Sequence, residues 1–179
     1  MGKIAGIVLV FWGVAGYLHS WMTRQKENQM LIEESVYFLQ KAVFAMENEK
    51  IKIIDYFSKN GSHDFKDMRS HETLLEKALH EVARRLATNT YPSGQSVWEE
   101  VLMEEEQNWG LDKETFEMIL HAGNGFFGKS REENICFLQK SIQELEKRQE
   151  IVKEKDAEER KVWVPVGMLG TVMIMILFI

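Results

Sequence analysis

The stretch with the most chemical promise is Gly123-Asn-Gly125-Phe-Phe-Gly128, which spells G-x-G-x-x-G. That spacing cradles a pyrophosphate only when a strand leads in and a helix leaves at once, inside a βαβ unit. Here a helical stretch precedes it, and bulky Phe126 and Phe127 fall where backbone must approach phosphate. A helix-to-helix turn with left-handed glycines is the better reading. His71-Glu72 and His80-Glu81 each begin like a zinc-protease H-E-x-x-H, but the fourth residue on is Leu75 in one and Arg84 in the other. Neither supplies a second ligand, so no metal is expected. Glu104-Glu105-Glu106 directs three carboxylates to different sides of a helix and reads as a solvated face. No Ser, Cys or Lys stands in a recognisable nucleophile motif, and no cofactor is expected. The enzymatic alternative is a hydrolase with dispersed catalytic groups, which a screen against generic substrates addresses.

The chain that carries these residues is polar in the middle and apolar at both ends. Its mean hydropathy of -0.28 averages the two. Ile4 to Met22 has only His19 and Ser20 as plainly polar side chains, and Val162 to Ile179 carries no charge. At about 1.5 Å of rise per residue, eighteen helical residues reach roughly 27 Å, close to a bilayer's hydrocarbon core. Residues 1–23 and 162–179 are therefore expected to be transmembrane helices. A cleaved signal peptide is the competing reading of the first, because Lys3 precedes the apolar run and small residues lie at Val14-Ala15-Gly16. The run continues past that point through Tyr17, Leu18, Trp21 and Met22, aromatics suited to an interfacial belt. A myristoylation signal lacks its Ser or Thr at the sixth position.

Two spans leave residues 24–161 on one side of the membrane. Arg24, Lys26, Arg160 and Lys161 flank the spans on that side against Lys3 alone on the other, which places the domain in the cytoplasm. All 28 acidic residues and all basic ones but Lys3, 21 of 22, belong to it, for a charge of -7. Nucleic acid is a poor partner for such a surface. One cysteine, Cys136, excludes an intramolecular disulfide and reads as a buried thiol on the last helix.

Strand signals are almost absent, and the domain reads as an all-α bundle of five to six helices. A first helix is expected from Asn28 to Lys50, with Ile32, Val36, Leu39, Val43 and Met46 on one face. A short apolar piece follows at Ile51–Phe57, then a helix over His71–Ala87 with Leu75, Leu79, Val82 and Leu86 inward and Arg84 and Arg85 off that face. Thr88-Asn-Thr-Tyr-Pro-Ser-Gly breaks the chain. Ser96-Val-Trp-Glu99 reads as a capping box opening a helix through Asn108, and Asp112 as the cap of a short helix carrying Phe116, Ile119 and Leu120. Ser130 to Glu133 is another box. It starts the longest helix, whose seam of Ile135, Leu138, Ile142, Leu145, Gln149 and Val152 gives way to a solvated stalk, Lys153–Lys161, continuous with the final span. Pro165 is expected to kink it near the interface.

Taken in order, these features resemble the stage III sporulation protein AB family of spore-forming Firmicutes over nearly the whole chain. Ser93-Gly94-Gln-Ser-Val-Trp98-Glu-Glu-Val-Leu102 is similar to that family's Ser-Gly segment leading into Trp-Glu-x-x-Leu. Ile119-Leu-His-Ala-Gly123, then Gly128 and Arg131-Glu132, is similar to its glycine turn and Arg-Glu. Two departures are plain. Four residues separate Gly123 from Gly128 where the family has three, and Lys50-Ile-Lys-Ile-Ile54 replaces a Gly/Pro turn. The resemblance implies a non-enzymatic platform of the channel joining mother cell and forespore, anchored in the mother-cell membrane. It implies a helical domain similar to the inner-membrane platforms of type II secretion and type IV pilus machines. Other stage III channel proteins and a secretion-type ATPase encoded with it are the implied partners, and an oligomer is compatible. A general membrane-anchored helical scaffold or signalling adaptor is the alternative.

Overall fold

No glycine or proline interrupts residues 17–50, and nothing there ends a helix. In the computed structural model, helix α1 accordingly runs unbroken over Gly2–Phe44. The helix expected to open at Asn28 is thus the second half of one that began at Gly2. The structure describes residues 2–49, 56–57, 73–88, 92–128 and 130–178; the side chains of 2–11, 49, 164, 168, 171–172, 174–175 and 177–178 fall outside that set. A single π turn, Ala45–Glu49, closes α1. Helices α2 (Leu74–Ala87), α3 (Gly94–Trp109) and α4 (Lys113–Ala122) follow, then a 3-10 turn at Gly123–Gly125 and α5 (Arg131–Phe178). The described residues are all-helical, as expected.

Local chemistry sets the ends. Thr73 caps α2 through a reciprocal pair: Glu76 N–H donates to Thr73 Oγ1 at 3.2 Å and Thr73 N–H to Glu76 Oε2 at 2.7 Å. The T-x-x-E signature was present in the sequence, a few residues inside the expected start at His71, which lies outside the described residues. The start expected at Ser96 is also corrected. Pro92 leads into Ser93, whose extended backbone (φ -154°, ψ 156°) makes it the cap, with Ser96 N–H donating to Ser93 Oγ at 3.1 Å. Ser96 lies one turn inside α3. Asp112 caps α4 through Thr115 N–H, and Ser130 Oγ accepts from Glu133 N–H at the head of α5. Gly110 ends α3 at φ 62°, in the left-handed region where an L side chain is strained.

Contacts divide the chain into two units, Met30–Gln149 and Met1–Gln29 with Glu150–Ile179. In the central unit every expected stripe residue of α1, from Ile32 to Met46, is buried. So are Leu31, Phe38 and Ala42, because α1 meets neighbours on more than one side. Leu75, Leu79 and Val82 of α2 and Leu138, Ile142 and Leu145 of α5 close the core, with Leu86 and Ile135 half-buried against it. Gln40 Nε2 donates to Glu146, and Gln139 Nε2 to Glu47 seven residues on along α1 and seven back along α5. The two helices are antiparallel there. Cys136 is exposed, not buried. One residue past Ile135 it is turned by about 100°, away from Leu138.

In the terminal unit Leu18 covers Gly167, and Gln25 accepts from Arg160 and donates to Glu159, both at 3.4 Å. Gln29 Nε2 donates to Asp156 Oδ2 at 2.6 Å, and Asp156 is only 9% exposed. The stretch expected as a solvated stalk is helical, but one face of it is a polar seam against α1. Helix α5 passes through Pro165 without ending. Among the described residues no helix is long and apolar enough to cross a membrane. The two expected spans fall partly on undescribed residues: the side chain of Ile4 and the whole of Ile179 lie outside the set, whereas Met22 and Val162 are exposed.

Candidate functional site

The motif residues converge at one corner of the central unit. Trp98, 1% exposed, is the pivot. Its position two residues after Ser96 puts it in phase with Val101 and Leu102, both buried. Its indole N–H donates to Leu120 O at 3.0 Å, a carbonyl in the last turn of α4 that also accepts from Gly123 N–H. Around it stand Phe57 at 6.0 Å and Phe126 at 5.6 Å between ring centroids. Phe57 in turn touches Phe38, Tyr56 and Phe126 and stacks on Phe127 with planes 6° apart. Tyr56 O–H donates to Phe38 O at 3.1 Å, so the wholly apolar surroundings leave its hydroxyl partnered.

The glycines fit this corner by closeness of approach. A Cβ on Gly123 would collide with the five-membered ring of Trp98, and one on Gly94 with the Phe127 ring. A Cβ on Gly125 would come within 2.7 Å of Leu138, and one on Gly128 would strike the Asn134 side chain. The expectation of left-handed glycines is therefore corrected: Gly123 is right-handed helical at φ -55°, and Gly110 is the one glycine with positive φ among the described residues. The space that a phosphate loop keeps for its ligand is filled at all three positions of G-x-G-x-x-G by this chain's own side chains. Arg131 completes the corner from the start of α5, its Nη2 donating to Glu47 O at 2.7 Å in the π turn that ends α1. Ser93, Gly94, Trp98, Gly123, Gly128 and Arg131 thus make contacts in one region of the central unit that hold neighbouring elements in position.

Two arginine clusters support it. Arg85 is largely covered and bridges Glu81 at 2.6 Å with Glu104 at 2.6 Å and Glu100 at 3.4 Å, tying α2 to α3. Hydrogen bonds from Arg84 and Arg85 pull the Glu81 carboxyl down to about 2. Sequence spacing had set Arg85 simply off the apolar face; its reach across to α3 was not readable. Arg148 of α5 donates to Asp112 at 2.8 Å and to Thr115 Oγ1 at 3.1 Å, and pairs with Glu114. Burial resists ionisation of Asp112, but the hydrogen bonds from Thr115 and Arg148 outweigh it and lower the carboxyl below its ordinary range. No group of three or more His, Cys, Asp or Glu among the described residues is arranged to hold a metal.

The family model of stage III sporulation protein AB matches residues 3–179. No curated protein and no solved structure matches the chain.

Proposed function

Because the chain belongs to the stage III sporulation protein AB family, we propose that it is a non-enzymatic membrane platform of the channel between mother cell and forespore. In this reading the central unit faces the cytoplasm of the mother cell and presents its surface to the other channel proteins, among them a secretion-type ATPase. The observation that carries it is the makeup of α5. One helix supplies Leu138, Ile142 and Leu145 to the core at its start and bears exposed Val162, Val166, Leu169, Met173 and Ile176 at its end. Those last five recur at steps of four, three, four and three, an apolar stripe whose exposure to water is unfavourable at about 25 cal/mol per Å². Lipid tails remove that cost. Trp12 and Tyr17 expose aromatic rings on α1 in the same unit. The four cations expected to hold the domain in the cytoplasm flank this apolar stretch, and Arg160 is bonded to Gln25.

A platform that relays a partner's movement needs a stiff α5. Lys153→Gly, Lys155→Gly, Ala157→Gly and Glu158→Gly spare Asp156 and Glu159, and each glycine costs a helix interior about 1 kcal/mol relative to alanine. In the native host the glycine variant is expected to localise normally and to stop spore formation after engulfment. Alanine at Lys153, Lys155 and Glu158 should support it. Normal spore yield from the glycine variant would reduce α5 to a tether, and normal yield without the protein would end the channel reading.

A further inference from the structure

A groove of about 390 Å³ runs between α4 and α5 on the surface of the central unit. From α4 it takes Glu117, Met118 and His121, and from α5 Phe137, Ser141 and Glu144. His121 stacks on Phe137 at 5.8 Å with planes 22° apart, so one end is apolar and aromatic. The other end carries Glu114, Glu117 and Glu144, with Lys140 in the lining and Arg148 paired to Glu114 at 2.8 Å. Met118 and Phe137 are half-buried. Ser141 is 7% exposed, and its hydroxyl makes no hydrogen bond to the described residues, although it lies on the groove floor.

We propose that this groove docks an amphipathic helix of another protein, with a large apolar residue over Phe137 and Met118 and a lysine or arginine one to two turns away against Glu117 and Glu144. Each wall presents its lining at the i, i+3, i+4, i+7 spacing of a helix face, from 114 to 121 and from 137 to 144. Two such walls accept a third helix, and anchors at the same spacing read them. Charge selects the occupant. Glu114 is already held by Arg148 at 2.8 Å, whereas Glu117 and Glu144 are exposed and have only loose same-helix partners, Lys113 at 3.6 Å and Lys140 at 3.7 Å. Exposed same-helix pairs of that kind contribute little, so an incoming cation displaces them readily. A second copy of this chain is disfavoured by the domain's charge of -7, which repels itself. The Ser141 hydroxyl, which makes no bond to the described residues, gives the occupant one polar group to satisfy.

This inference rests on the platform reading, which needs protein partners, and it is read out separately from spore formation. His121→p-benzoylphenylalanine in the full chain keeps an aromatic ring on Phe137 and places a photocrosslinker at the groove's apolar end. Illumination of sporulating cells is expected to give one adduct, whose mapped peptide is helical, carries a large apolar residue and has Lys or Arg within seven positions of it. Adding Glu117→Lys and Glu144→Lys should cut the adduct by about tenfold or more, while the purified variant melts as the parent does. The same crosslinker at Met103, exposed on α3, should not capture that peptide. No adduct at His121, an adduct to a second copy or to lipid, an acidic mapped segment, or a yield untouched by the lysines would each overturn the proposal.

Discussion

Replacing Gly123 by alanine sets two physical effects against each other. At φ -55° an alanine is conformationally welcome, and restricting the unfolded chain should stabilise the protein by about 0.4–1 kcal/mol. Packing opposes this. The new methyl would enter the space held by Cγ, Cδ1 and Nε1 of Trp98, a side chain 1% exposed and pinned by its bond to Leu120 O. Phe57 and Phe126 press on the indole from other directions, so the ring has nowhere to retreat. Overpacking of this kind costs about 1–3 kcal/mol, and the balance is a net loss of about 1–2 kcal/mol. Urea unfolding of the purified full chain in detergent, followed by near-ultraviolet circular dichroism, measures it. Trp98→Ala supplies the control, since it removes Cγ, Cδ1 and Nε1 together; Gly123→Ala should cost less in that background. A stabilising Gly123→Ala, or an equal cost in both backgrounds, would refute the packing argument and return the turn to a conformational role.

Three further outcomes follow from the same geometry. Trp98→Phe should cost about 1 kcal/mol more than Trp109→Phe, because Trp98 Nε1 has an acceptor while the buried Trp109 Nε1 has none among the described residues; equal urea midpoints would contradict this. The carboxyls of Glu81 and Asp112 are held below their ordinary 4.5 and 3.8. Their contribution is therefore complete above those values and lost as pH falls, through about 2 for Glu81, and Glu81→Gln with Asp112→Asn should flatten the acid limb of a melting-temperature profile. Lys113→Cys in a Cys136→Ser background should resist an impermeant maleimide in intact cells and react after lysis, whereas labelling of intact cells would reverse the cytoplasmic assignment.

The all-helical class, the stripes of α1, α2 and α5 and the cap at Asp112 were legible in the sequence. Each depends on periodicity or on bonds between residues three or four apart, which the chain order itself dictates. The family was legible too, because its motifs are ordered along the chain. What failed concerned side chains that meet across long separations. Cys136 was assigned inward from its apolar character, yet the direction of α5's buried face is set by Leu138, Ile142 and Leu145 against other helices. Lys153 to Lys161 looked wholly solvated from its charges, but Asp156 is covered because Gln29, 127 residues earlier, reaches it. Gly123, Gly125 and Gly128 spelled a flexible turn or a phosphate loop, and their small size is used instead to admit Trp98, Leu138 and Asn134. A missing Cβ leaves the same letter in the sequence whether it frees a backbone angle or makes room for a neighbour, and only the tertiary packing determines which neighbour arrives.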